Sequence, residues 1–177
     1  MMIAVAIVLA GSFTRILDAV YWMLAGEDTR FDWLAFGWLI NRFVAGVMAF
    51  WVYKGGGQQD LEDWGFAEFF LLLLGPVFLY VQSLALASRY PDKIVDWGAH
   101  FERVRIGFFI GCALFAASNA FASHFLTVDG RTNAAAFIAN TVLFILAAVF
   151  RNRYLQGTVL TLISCFMCVG VYRSLVA

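Results

Sequence analysis

The chain has 177 residues, and its composition differs from that of an ordinary water-soluble protein. Hydrophobic residues make up 63% of it, aromatic residues 18% and charged residues only 14%. A formal net charge of +0 gives no basic surface, which argues against nucleic-acid binding. Because this length fits one domain, we expect residues 1–177 to form a single transmembrane domain.

Six segments are long and apolar enough to cross a bilayer as helices, which takes about 20 residues each. In chain order they cover residues 2–25, 32–53, 66–88, 103–126, 133–150 and 154–176. The bilayer core offers the backbone no hydrogen-bond partner, so each segment is expected to be helical. The sequence therefore predicts an all-α fold, a bundle of six transmembrane helices.

The connection between the third and fourth segments has two interpretations. Pro91 suits the first turn of a helix, and Ile94, Val95 and Trp97 can share one face, which favours a short helix lying on the membrane surface. An ordinary loop in which Trp97 anchors the chain at the interface fits equally well. Both alternatives stay open.

The distribution of Lys and Arg predicts the orientation. Connections after the first, third and fifth segments carry Arg30, Arg89, Lys93, Arg103, Arg105, Arg151 and Arg153, whereas the other side carries Lys54, Arg131 and Arg173. The richer group is expected in the cytoplasm. We therefore expect an integral membrane protein, of a bacterial inner membrane, with both termini on the non-cytoplasmic side.

Charged and amide side chains inside these segments form the candidate ligand-binding site. Arg15 and Asp18 are three residues apart in the first segment, so they can pair, and Arg42 lies near the centre of the second. Asn119 and Asn140 fall at comparable depth in the fourth and fifth. Each charge at the bilayer centre costs roughly 2.5–3.5 kcal/mol, so we expect these five side chains to meet in a polar core.

The polar core has a structural and a functional interpretation. In the structural one, Asp18 bridges both arginines, the asparagines complete the network, and the network only fixes helix packing. In the functional one, two guanidinium groups against one carboxylate leave a positive charge that an anion balances, such as a lipid headgroup, a carboxylated metabolite or a small anion.

Small residues recur along one side of the fourth segment. Gly107, Gly111, Ser118 and Ala122 allow close helix approach, either within the monomer or in self-association. The expected partners are therefore membrane lipids and, as alternatives, other membrane proteins or a second copy of the chain.

No motif in the sequence indicates an enzyme. Cys165 and Cys168 form a CxxC pair, but a membrane thiol oxidoreductase generally uses a second cysteine pair, and only Cys112 remains. His100 and His124 are too far apart to share a metal, so no metal site is predicted. No cofactor can be assigned.

Two classes of function remain. The first is a small transporter, channel, or anion- or lipid-binding protein that uses the polar core. The second is a non-enzymatic accessory or scaffold subunit of a membrane complex, in which the charged core serves packing only.

Overall fold

The computed structural model describes the backbone of residues 2–55, 65–126 and 130–176, and side-chain surroundings for 3–50, 65–66, 69–122 and 135–169. This part of the chain contains six α-helices and no strand. They are α1 (Met2–Ala25), α2 (Trp33–Gly55), α3 (Phe66–Ala87), α4 (Trp97–Leu126), α5 (Gly130–Val149) and α6 (Arg153–Val176). The all-α prediction is confirmed.

Four of these helices, α1 to α4, are long and apolar enough to cross a membrane. Within the described residues, the apolar parts of α5 and α6 are shorter, Ala135–Val149 and Arg153–Val169. The structure therefore indicates a membrane-embedded protein, with four helices in the described ranges that are able to span the membrane.

The fourth helix differs most from its predicted bounds. It begins at Trp97, six residues before the predicted start at residue 103. Arg103 and Arg105 consequently belong to the first turns of α4 rather than to the preceding connection, and Arg105 is buried. The charges misled the prediction because an arginine that bonds to protein groups can lie inside an apolar helix.

The connection before α4 agrees only in part with the short-helix interpretation: a helix does begin at Pro91, but it ends at Lys93 and does not include Ile94, Val95 and Trp97. Only Pro91–Lys93 form a single 3-10 turn, and Ile94 is extended. The backbone amide of Arg30 donates to the carbonyl of Val95 at 2.6 Å, and the amide of Trp97 donates to the carbonyl of Arg30 at 3.2 Å. Trp97 is fully buried and begins α4, so it is not an interfacial anchor.

Polar side chains fix where α2, α4 and α6 begin. The carboxylate of Asp32 accepts the amide of Ala35, and that of Asp96 accepts the amide of Ala99, each at 2.8 Å. Asn152 accepts the amide of Tyr154 at 2.9 Å. These are N-cap bonds, which satisfy helix amides that have no intrahelical partner. All three caps lie at one end of the bundle, where α1, α3 and α5 finish.

The second helix has one exposed face, which includes Ile40, Val44 and Val47, and packs its other faces against four helices. It contacts α1, α3, α4 and α6, while α4 packs most extensively against α5 and α3. Trp38 of α2 is fully buried, with its ring centroid 5.6 Å from that of Phe108 and 5.1 Å from that of Phe109. Edge-to-face packing of this kind adds to area burial, so aromatic rings join α2 to α4.

The small-residue stripe of α4 has two different environments. A Cβ added at Gly111 would lie 3.0 Å from the Cβ of Gln82, so α3 and α4 approach closely there. A Cβ added at Gly107 would meet nothing within 4 Å. Ser118 donates to its own helix at the carbonyl of Phe115, and Ala122 is half-buried. Packing within the monomer is shown at Gly111, while self-association stays a prediction.

Gly111→Leu is expected to lower the free energy of unfolding by about 1–3 kcal/mol, because the added side chain overpacks the contact between α3 and α4. Gly107→Leu is the matched control, since it makes the same change four residues away into open space. Chemical unfolding in detergent micelles measures both. Equal losses in the two variants would contradict the close approach at Gly111.

Candidate functional site around Arg42

The guanidinium group of Arg42 lies deep inside the bundle. Arg42 is nine residues into α2, which places it about 14 Å along the helix. Its side chain is only 2% exposed. A charged group so thoroughly removed from water needs partners, because burial of an unpaired charge is among the most unfavourable events in folding.

Neutral groups supply those partners. The Nε and Nη2 atoms of Arg42 donate to Oδ1 of Asn41, the former at 3.1 Å, and Nη1 donates to Oε1 of Gln82 at 3.3 Å. The guanidinium carbon also lies 5.8 Å from the ring centroid of Trp38 and 5.3 Å from that of Phe144. Two amide oxygens and two aromatic rings thus surround the cation.

A cysteine extends this group of residues. The thiol of Cys112 donates to Oε1 of Gln82 at 2.6 Å, so the amide oxygen of Gln82 accepts from both α2 and α4. We define the Arg42 cluster as Trp38, Asn41, Arg42, Gln82, Cys112 and Phe144, which come from α2, α3, α4 and α5. Four helices therefore converge on one positive charge.

The cluster contains more hydrogen-bond donors than acceptors. A guanidinium group has five N–H donors, and the described contacts use three of them. Within the described residues, Nε1 of Trp38 and Nε2 of Gln82 are buried without a hydrogen-bond partner. No carboxylate in these ranges lies within 4.0 Å of Arg42. Among the described residues, the cluster therefore has unused hydrogen-bond donors and no anionic acceptor.

The expected grouping of Arg15, Asp18 and Arg42 was wrong. The Nη1 atom of Arg15 lies 3.5 Å from the carbonyl oxygen of Arg89, beyond the end of α3. In the part of the chain that the structure describes, Asp18 forms no ion pair with either arginine. The long arginine side chain extends along α1 toward the end of the bundle, as snorkelling side chains do, instead of turning toward α2.

The two predicted asparagines also lie outside the hydrogen bonds of Arg42. Asn119 donates to the carbonyl of Phe115 in its own helix at 2.7 Å. Asn140 is half-buried on α5, one turn before Phe144, and within the described residues its buried Oδ1 has no hydrogen-bond partner. The side-chain amide of Asn119 bonds to the backbone of its own helix instead of to Arg42. Similar depth in the bundle was therefore not enough to predict that these asparagines contact Arg42.

The sequence interpretation missed the residues that do surround Arg42. Asn41 and Gln82 are amides within apolar helices, a signal as strong as that of Asn119 or Asn140, but helix rotation decides which amide faces the charge. Trp38 and Phe144 carry no such signal, since aromatic residues are common throughout the chain. Cys165 and Cys168 are exposed on α6 and Cys112 is buried on α4, so thiol redox activity stays untested.

Comparison of the chain with protein-family models, with curated proteins and with solved structures found no match. The class is therefore defined by the molecule itself. It is a helical membrane-embedded protein with an arginine buried at the centre of the bundle and held by neutral groups.

Gln82→Leu is expected to lower the free energy of unfolding by about 1–3 kcal/mol, because it leaves donors of Arg42 and Cys112 without their acceptor. Gln156→Leu is the control. Gln156 is equally buried, but among the described residues its Nε2 makes a single long bond, 3.5 Å to the carbonyl of Phe150. Gln156→Leu should therefore lower the free energy of unfolding by no more than about 1 kcal/mol.

Urea or detergent titration of the purified protein measures both variants. If Gln82→Leu proved no more damaging than Gln156→Leu, the amide of Gln82 would not be supporting the buried charge.

Proposed function

We propose that this chain is an anion-binding membrane protein whose ligand lies against Arg42 in the centre of the bundle. In this proposal all six helices cross a bacterial inner membrane, and both termini lie outside the cytoplasm. The observation that carries it is a guanidinium group, 2% exposed, with no carboxylate within 4.0 Å in the described ranges.

Electrostatics supports an anion more strongly than it supports packing. Amide oxygens and aromatic rings stabilise a guanidinium group locally, but they do not cancel its charge. The interaction between two charges strengthens as the effective dielectric falls, so an anion gains more from Arg42 than from an arginine in water. The same low dielectric makes a second positive charge beside Arg42 unfavourable.

The geometry of the donors favours a small anion. The bonds to Asn41 and Gln82 use three of the five N–H groups of Arg42, and the sulfur of Cys112 also lies against the guanidinium group. Gln82 contributes a buried Nε2 that has no partner among the described residues. Hydrogen bonds from a charged donor are about twice as strong as neutral ones. The tight aromatic contacts of Trp38 and Phe144 favour a monovalent inorganic anion or a single carboxylate over a larger ligand.

One observation favours the alternative of a scaffold subunit. The guanidinium group already has three hydrogen bonds and two aromatic contacts. Cation–π contacts alone reach about 2 kcal/mol when desolvated. In this alternative the Arg42 cluster joins four helices and takes no ligand. The two functions differ in whether stability responds to anions.

Wild-type protein in nanodiscs is expected to gain thermal stability as chloride, nitrate or acetate replaces gluconate at constant ionic strength. At tenfold excess over the dissociation constant the gain is about 1.4 kcal/mol. Arg42→Gln should abolish this response. Arg42→Lys, which keeps the charge but loses the fork, should weaken anion binding about tenfold or more.

Arg15→Gln is the matched control, because Arg15 also lies in an apolar helix but contacts the carbonyl of Arg89. It should keep the wild-type response. If no anion stabilised the wild type and Arg42→Gln only lowered its stability, the scaffold alternative would replace the proposal. A wild-type response in Arg42→Gln would place the anion elsewhere. If an anion site were found at Arg42, flux assays in liposomes would separate fixed binding from transport.

A further inference from the structure

A second charged region lies at the end of the bundle where α2, α4 and α6 begin. It is an open pocket of about 860 Å³, which is within the range of small-molecule sites. Its lining includes the five arginines Arg30, Arg103, Arg105, Arg151 and Arg153 and the three carboxylates Asp32, Asp96 and Glu102, a net charge of +2. We call it the arginine-rich pocket; it is separate from the Arg42 cluster.

The carboxylates of this pocket are already engaged. Asp32 pairs with Arg153 and caps α2, while Asp96 caps α4. Oε2 of Glu102 lies 3.3 Å from Nε of Arg151 and 3.7 Å from Nε of Arg105. Little acceptor capacity remains on the protein for another cation.

Two of the arginines are structural. The Nη1 atom of Arg105 donates to the carbonyls of Ala147 at 3.1 Å and Ala148 at 2.6 Å, so Arg105 caps the end of α5. Arg153 is held by Asp32. Their contacts join the first turns of α4 to the end of α5, and the start of α6 to the start of α2.

The other three arginines are available. The side chains of Arg30 and Arg151 are 82% and 78% exposed, and their ion pairs, at 3.8 Å and 3.3 Å, are of the kind that contributes little in water. Arg103 is exposed and forms no ion pair with any described residue. Three forked donors therefore face one open pocket.

The membrane environment suggests what these donors meet. Phe31 and Ile106 line the same pocket and are exposed, and Trp33 and Tyr154 are exposed at the same end. Aromatic residues in such positions mark the level of lipid headgroups. A pocket lined by arginines together with exposed apolar residues matches the level of the membrane at which lipid phosphates meet acyl chains.

We propose that the arginine-rich pocket binds a phosphate group, held by Arg103 and Arg151. The paired N–H groups of guanidinium match the oxygens of phosphate. Because the pocket lining has a net positive charge, it favours an anionic phosphate compound over a zwitterionic one. The phosphate belongs either to an anionic lipid or to a soluble phosphorylated molecule. The positive-inside tendency explains arginines at this end, but it does not require them to line one pocket.

Nanodiscs of phosphatidylcholine, with and without phosphatidylglycerol, test the lipid source, and native mass spectrometry counts the lipids that stay bound. Inorganic phosphate and glycerol phosphate, titrated into discs of phosphatidylcholine alone, test the soluble source by thermal shift.

Arg103→Gln and Arg151→Gln are each expected to weaken binding about tenfold in whichever of the two assays shows binding. Their unfolding midpoints without phosphate should match the wild type, because both side chains are exposed.

Arg89→Gln is the control, since it removes the same charge at the same end from an exposed arginine outside the pocket lining. Retention of phosphatidylglycerol that depends on Arg103 and Arg151 but not on Arg89 identifies a lipid site. A phosphate-induced shift with the same dependence identifies a soluble ligand. If neither arm responded, or if Arg89→Gln weakened binding as much as the other variants, the proposal would be overturned.

Discussion

The structure depends on how an apolar bundle accommodates the charge of Arg42. A charge inside an apolar membrane helix costs a few kcal/mol, and the contacts of Arg42 in the described residues include no carboxylate that would offset it. Asn41 and Gln82 provide oxygens, and Trp38 and Phe144 provide aromatic faces. Because these side chains come from several helices, the buried charge also fixes how α2 lies among its neighbours.

The two charged regions of the molecule follow different physics. In the Arg42 cluster the charge is buried and its hydrogen-bond partners are neutral, so a low local dielectric screens it only weakly. In the arginine-rich pocket, exposed ion pairs such as Arg30 with Asp96 are screened by water and are easily exchanged for other anions. In the two proposals, the central site selects an anion by charge and size, whereas the arginine-rich pocket selects phosphate by the number of guanidinium groups that can reach it.

Hydrophobicity was sufficient to predict the existence of the helices, because polar or turn-forming residues separate the apolar segments from one another. The start of α4 was predicted six residues too late because residues 97–102 include the polar His100 and Glu102, and Glu102 pairs with Arg105 and Arg151 inside the protein. The candidate site was predicted only at Arg42. The position of a residue along its segment shows how far along the helix axis it lies, but it does not show which neighbouring helix the side chain faces. For this reason Arg15 and Asp18 were grouped with Arg42, although the described contacts do not join them to it.

A direct test of the buried, uncompensated charge is crystallographic. Crystals grown in bromide allow the anion to be located by its anomalous scattering. A bromide peak is expected within hydrogen-bonding distance of the guanidinium group of Arg42, with Asn41 and Gln82 still bonded to that group. A carboxylate such as that of Asp18 in this position, or an ordered Arg42 without a bromide peak beside it, would contradict it.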